Sequence, residues 1–197
     1  MKKKDIPIKT HRLIDITDIK IENKVQYIIN KLENHNYEAY LVGGCVRDFL
    51  LGNPVNDYDI TTSAFPDEII EVFEGYKTIE TGKKFGTVTL VLQDEYFEIT
   101  SFRTDGTYLD GRRPSSVEFS RSLEEDLKRR DFTINAMAYN PSIGLVDLYG
   151  GLEDLKKGVI RAVGQADKRF SEDFLRMLRA VRFAHRLDFE IEPSTSD

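Results

Sequence analysis

LVGGCVRDFLLGNPVNDYDITTS, residues 41–63, combines features that seldom share one window. An apolar run ends at Gly43-Gly44, Arg47 follows three residues later, and Asp57 and Asp59 stand two apart. Residues 38–42 read as a short strand ending at the glycine pair. Residues 45–51 read as a helical turn or two, stopped by Gly52-Asn53-Pro54. Residues 57–61 read as a second strand. On a strand, positions two apart share a face, so both carboxylates would point the same way. Such a pair repels unless a cation bridges it, and an oxygen-loving divalent ion such as Mg²⁺ is the natural bridge. The glycines free backbone N–H groups for close approach by phosphate oxygens, and Arg47 adds a forked donor. Each signal is weak alone. Glycine pairs serve ordinary turns, a lone DxD is more often a solvated turn, and no GK[ST] follows to make a Walker A loop. Together they point to a polyphosphate and a divalent metal.

Outward from this window, residues 21–32 carry apolar side chains at helical spacing: Ile21, Val25, Ile28, Ile29 and Leu32. Residues 66–73 predict a helix entered through Ser63 as a cap. Residues 87–92 and 96–102 predict a hairpin across Gln93-Asp94-Glu95. Residues 103–121, rich in Gly, Arg, Pro and Ser, read as a long loop. A helix is expected near Leu123, a turn at Gly150-Gly151, a short strand over 160–163 and a strong helix over 171–187. That last helix gathers Phe174, Met177, Leu178, Val181 and His185 on one face. A face so wide should have partners, so the chain reads as cut off after it.

Of 197 residues, 40% are hydrophobic and 31% charged, the composition of an ordinary globular protein. No apolar run approaches the ~18 residues of a membrane span. The basic start MKKKDIPIK lacks the apolar core of a secretory signal. One cysteine, Cys45, excludes an internal disulfide framework and fits a reducing cytoplasm. Three histidines and one cysteine leave little for a structural zinc site. The net charge of −6 is uneven: residues 156–186 carry nine basic and three acidic side chains, a local +6 on a body of −12. That asymmetry suggests a local anion site on an otherwise acidic molecule.

Three further segments carry candidate chemistry. Glu98, in YFEITSF, is a charge inside an apolar strand and a candidate third carboxylate for a two-metal site; the alternative is a solvent-facing strand position. RRDFTINAMA, residues 129–138, reads as cations followed by an apolar helix, with Asp131 and Asn135 four apart on one face. Arginines at a helix start oppose the macrodipole, which favours an anion ligand beside them. SEDFLRMLRAVRFAHR, residues 171–186, places Asp173, Arg176, Arg179 and Arg182 at steps of three. An Asp–Arg pair can read a base edge, with Arg179 and Arg182 supporting it or a phosphate; the alternative is a surface ion-pair ladder.

In this order, LVGGCVRDFLLG…NDYDITTS, GKKFGTVTLV, FEITSFRTDGTYLDGRRP, RRDFTINAMAYNP, DLYGGLEDL and EDFLRMLRAVRFA resemble the successive motifs of the class II tRNA nucleotidyltransferase and bacterial poly(A) polymerase family, over about residues 36–193. The resemblance implies an α/β fold: a DNA polymerase beta-like nucleotidyltransferase head with a mixed sheet over residues 1–165, then the start of an α-helical neck over 166–197. It implies that Gly43, Gly44 and Arg47 hold a triphosphate. Asp57 and Asp59 would bind Mg²⁺, and Glu98 would help to activate a primer 3′-hydroxyl. Arg130, Asp131 and Asn135 resemble the ribose and phosphate motif. Asp173 and Arg176 match a protein template for CTP and then ATP, supported by Arg179 and Arg182. Asp105, Tyr108, Asp110, Arg112 and Arg113 resemble a flexible loop needed for the switch to ATP.

The expected activity is addition of CMP and AMP to the tRNA 3′ end in the cytoplasm, with no membrane partner. An A-adding enzyme, a CC-adding enzyme or a poly(A) polymerase would share the chemistry, and the 103–115 loop argues against CC-only addition. A non-catalytic nucleotide- or RNA-binding module is the rival of another class, disfavoured by the intact acidic positions. Family members continue into further helical regions that bind the tRNA elbow.

Overall fold

The computed structural model describes residues 11–106 and 116–196. Helix α1 (Asn23–Glu33) buries Val25, Ile28, Ile29 and Leu32, the stripe its spacing predicts. Strand β1 (Ala39–Val42) is buried along its whole length. Ala39 and Leu41 enter the main core, whereas Tyr40 and Val42 enter a second cluster on the opposite face. A strand covered on both faces shows no polar alternation, which is why this one reads as a plain apolar run. It ends at Gly43, whose φ of 76° and ψ of −132° suit glycine alone. Helix α2 (Gly44–Leu50) starts immediately after, and strand β2 (Asp59–Thr62) pairs back antiparallel to β1.

Helix α3 (Pro66–Val72) begins with Pro at its first turn, and the backbone N–H of Phe65 donates to Glu68 at 2.6 Å. Ser63, the expected cap, instead accepts from the Glu38 backbone N–H, tying the start of β1 to the end of β2. Strand β3 (Lys77–Ile79) pairs with β4 (Thr87–Leu92), which forms the predicted hairpin with β5 (Glu95–Ser101). Its two turn residues, Gln93 and Asp94, both have positive φ, as a tight hairpin turn demands. The expected loop after it holds a two-stranded ribbon, β6 (Arg103–Asp105) on β7 (Val117–Phe119). Tyr108, Asp110, Arg112 and Arg113 lie outside the described residues.

Helix α4 (Leu123–Lys128), capped by Ser122, leads into the RRDFTINAMA segment. That segment is not a helix. It forms a bridge at Phe132, a single 3-10 turn over Thr133–Asn135, and then strand β8 (Met137–Asn140), which pairs with β1 and with β9 (Gly144–Asp147). Helix α5 (Gly151–Lys157) and strand β10 (Val159–Ile160) follow. The expected helix over 171–187 is two helices, α6 (Ala166–Glu172) and α7 (Leu175–Leu187). They are separated at Asp173, whose φ of −145° and ψ of 106° are extended. Strand β11 (Glu190–Ile191) pairs with β10, and a last turn, α8 (Pro193–Ser196), closes the described chain.

Among the described residues the main sheet has seven strands in the order β3-β4-β5-β2-β1-β8-β9. It is mixed, because β2 and β5 run parallel while its other pairs are antiparallel. The larger core lies between the sheet and α1, α2 and α3, and the smaller one, with Phe102 and Leu127, lies under α4. Each fully buried Phe, Ile or Leu there contributes about 1.5–3 kcal/mol relative to exposure. Helix α7 packs onto the larger core through Phe183, Ala184 and Leu187. The wide apolar face read from the sequence is exposed here: Leu178 and Val181 are 68% and 60% exposed.

Candidate active site

Two adjoining cavities flank the start of β2. One, of about 540 Å³, is lined by Gly43, Gly44, Arg47, Arg130, Asp131 and Asn135 on the head side and by Arg179, Arg182, Phe183 and Arg186 of α7. The other, of about 880 Å³, is lined by Glu98 and by the acidic side chains of Glu22, Asp94 and Glu95. Asp57 and Asp59 border both. A cationic cleft and an acidic one therefore meet at the paired aspartates.

Sheet register, and not strand alternation alone, assembles the carboxylates. Asp59 is the first residue of β2, and Asp57 precedes the strand. The expectation that both aspartates lie on one strand is thus corrected, although they still face the same cavities. Asp59 is in direct register with Glu98 on the parallel neighbour β5. Glu98 faces solvent; it is not buried within its strand. Asp59 opens onto the cleft, yet surrounding protein dehydrates its carboxyl enough to push its pKa up from 3.8. Arg130 opposes that shift, while Glu98 and Asp57 add to it. Concentrated negative charge of this kind is relieved by a cation. Among the described residues no three His, Cys, Asp or Glu side chains gather closely enough to cage a metal alone. Two carboxylates offering only oxygen suit a hard divalent ion completed by substrate phosphates.

On the cationic side, Arg47 is 3% exposed and fully engaged. Its Nη1 donates to Asn135 Oδ1 at 2.6 Å, and its Nε and Nη2 grip Asp48 at 3.0 and 2.8 Å. Asn135 donates to Asp131 Oδ1 at 3.1 Å, so these two meet across a 3-10 turn and not along a helix face. Asp131 Oδ2 accepts from Arg179 Nε at 2.7 Å, which ties α7 to the head. Arg130 lies over the glycine turn: a Cβ on Gly43 would stand 3.1 Å from Arg130 Nη1. The Arg130 Nε is buried without a hydrogen-bond partner, a donor held beside the cleft.

Sequence reasoning missed the residue that orients Arg130. Asp126 is fully buried and accepts from Arg130 Nη2 at 3.0 Å and from Arg129 Nη2 at 2.7 Å. Burial raises its pKa, but Arg130 and Arg129 outweigh burial and hold it below 3.8. Helical spacing of three and four from Arg129 and Arg130 was the available signal. Phe183 and Arg186 were also missed, although both follow the arginine ladder on α7. Asp105, at the base of the 103–121 segment, lies 3.9 Å from Arg129 Nη1. Cys45 packs under the site, its thiol raised to about 11 by burial, which leaves it inert.

Asp173 and Arg176 are not among the residues that line the cleft, although the Arg176 backbone N–H donates to the Asp173 carbonyl at 3.0 Å. The Asp173 carboxylate accepts from the Leu175 backbone N–H at 2.9 Å. Arg176 turns inward to Glu172 at 2.7 Å and to the backbone carbonyls of Arg169 and Arg129. The break at Asp173 puts the pair on either side of a helix boundary and not on one continuous helix.

A model of the poly A polymerase head domain matches residues 39–161. This chain belongs to that family. It is 56% identical over 168 residues to the CCA-adding enzyme of Geobacillus thermodenitrificans, covering 85% of this chain and 41% of that protein. The crystal structure of the Bacillus stearothermophilus CCA-adding enzyme in complex with CTP superposes with a TM-score of 0.80 at 48% identity, over 90% of this chain and 42% of that one. The Thermotoga maritima CCA-adding enzyme complexed with tRNA_CCA gives 0.72 at 33%, over 92% and 42%. The fold is therefore the polymerase beta-like nucleotidyltransferase head, with its mixed sheet. The chain spans about two-fifths of the length of the relatives it matches. Among the described residues no helix is long and apolar enough to cross a membrane.

Proposed function

We propose that this chain carries the catalytic head of a tRNA nucleotidyltransferase that adds CMP and AMP, from CTP and ATP, to the tRNA 3′ end. The observation that carries the reading is the meeting of a cationic cleft and an acidic one at Asp57 and Asp59. Its identity to CCA-adding enzymes supplies the substrates. Residues 1–165 form the head in this reading, and 166–197 begin the neck. A cytoplasmic location fits the proposed tRNA substrate and the single cysteine.

The incoming triphosphate lies against the turn at Gly43 and Gly44, where the Gly43 N–H is held by the Met137 carbonyl at 3.3 Å. Arg130 stands beside its oxygens, and Arg47, held by Asp48 and Asn135, adds positive charge from behind the turn. Asp131 and Asn135 face the ribose. Asp57 and Asp59 would hold a hard divalent ion such as Mg²⁺ in preference to a softer one, because they offer only carboxylate oxygen. A divalent ion held there would supply positive charge that offsets the charge developing on the reacting phosphate. Glu98, beside Asp59, orients the primer 3′-hydroxyl and accepts its proton. The 3′-oxygen then bonds to the α-phosphorus as the α–β bridging bond breaks and pyrophosphate leaves.

The base-reading role of Asp173 and Arg176 rests on sequence resemblance, and it requires Arg176 to leave Glu172. Sequencing the product on tRNA lacking its CCA end tests the function. CCA in order supports the proposal, a single A indicates an A-adding enzyme, a run of A indicates a poly(A) polymerase, and no incorporation indicates a binding module.

A further inference from the structure

We propose that Phe183 is a positioning residue of the nucleotide cleft, the ring that holds one arginine of the head and one of α7 in register. The Arg47 guanidinium carbon lies 5.1 Å from the Phe183 ring centroid, and that of Arg179 lies 5.2 Å from it. Both are within the range of attraction between a cation and an aromatic face. The two arginines are also linked through polar groups: Arg47 to Asn135 at 2.6 Å, Asn135 to Asp131 at 3.1 Å and Asp131 to Arg179 at 2.7 Å. Phe183 closes this chain into a ring of five side chains drawn from α2, the 131–135 turn and α7. Its own position is fixed by an edge-on contact with Phe132 at 5.9 Å and 82°.

The closure solves a physical problem. Two guanidiniums that face one anion repel each other before the anion arrives. Asp131 pairs with Arg179 and is linked to Arg47 through Asn135, and the electron-rich ring of Phe183 lies against both guanidiniums. Arg47 is already held by Asp48 and Asn135, so the ring matters most for Arg179, whose side chain is 49% exposed and which it keeps from swinging into solvent. Because Arg47 belongs to the head and Arg179 to α7, the ring also sets where α7 stands over the nucleotide. An aliphatic side chain of similar size would fill the seam against Phe132 but offer no aromatic face to either cation.

The inference rests on the proposed nucleotide site, and the test separates the two. CTP binding is measured by calorimetry with MgCl₂ and no primer, for the parent, Phe183→Leu, Phe183→Met and Phe183→Tyr, with melting temperatures alongside. The parent binds CTP, Phe183→Leu and Phe183→Met weaken binding about three- to tenfold, and Phe183→Tyr restores it. In an Arg179→Ala background the same Leu substitution has a much smaller effect, because one of the cations it serves is gone. Undiminished CTP affinity in folded Phe183→Leu or Phe183→Met overturns the role of Phe183 alone. So does a loss of equal size in the Arg179→Ala background, which would make Phe183 a packing residue. Failure of the parent to bind CTP overturns the nucleotide site and this inference with it.

Discussion

Asp59 and Glu98 occupy paired positions on adjacent parallel strands, so their carboxylates emerge side by side from one face of the sheet. Asp57 approaches the same place from the preceding loop. Sheet register thus builds a concentration of negative charge that no single stretch of sequence contains, and Arg130 is the cation set against it.

The cost of that arrangement should be visible in stability. The folded-state pKa of Asp59 lies above its unfolded value of 3.8. Between those values the folded state binds the extra proton, so this group's contribution favours folding at low pH and is lost as pH rises through the folded pKa. Urea midpoints for the parent and Asp59→Asn across pH 4–7 should show the parent falling relative to the variant as pH rises. Adding MgCl₂ near neutral pH should raise the parent's melting temperature and leave the variant's unchanged. Parallel curves with no metal effect would argue against a cation site here.

Asp126 behaves in the opposite sense. Its folded pKa is held below 3.8, so its stabilisation is present above that value and is lost only as pH falls through the folded pKa. Asp126→Asn should destabilise the fold by about 3 kcal/mol at neutral pH, the scale for breaking a buried ion pair. In a chain of this size that corresponds to a melting temperature about 6–12 °C lower. A shift under about 2 °C would mean that Arg129 and Arg130 find other partners at little cost.

The strand–turn–helix around Gly43, the hairpin at Gln93-Asp94 and the stripe of α1 were all legible, because each has a local cause. Other features were not. Residues 132–139 are buried on all sides, and an apolar stretch without alternation cannot be told from a helix by its pattern. The break at Asp173 has a local cause that was overlooked: an aspartate that accepts its own downstream N–H competes with helix continuation. The ribbon formed by β6 and β7 was hidden in residues with loop composition. Asp126 and Phe183 escaped notice because their importance lies in which arginines they hold, and that is a property of the folded chain.

If Asp173 and Arg176 select the base, Arg176 must exchange Glu172 for the nucleotide. The Asp173→Ala, Arg176→Ala double variant should then accept UTP and GTP roughly ten- to a hundredfold more readily relative to CTP, the equivalent of about 1–3 kcal/mol per lost hydrogen bond. Relative incorporation of the four nucleotides on a tRNA primer measures this. Unchanged rejection of UTP and GTP would assign selection to other residues, with Arg179 and Arg182 next in line.

Arg112→Ala should spare C addition and impair A addition, because the 103–115 segment resembles the loop that the family needs for the switch to ATP. Product lengths on tRNA ending in C and in CC would register the difference. Equal loss with both nucleotides would make the segment a general substrate contact.

The most direct test of the account is transfer of radiolabelled CMP from CTP to a saturating tRNA primer lacking its CCA end. The parent is compared with Asp59→Asn, each with MgCl₂ and with EDTA. The account predicts incorporation by the parent with MgCl₂ and none with EDTA. A folded Asp59→Asn protein should be slower by about a hundredfold or more, the scale of losing one preorganised electrostatic contact. Near-normal incorporation by Asp59→Asn, or incorporation by the parent that survives EDTA, would contradict it.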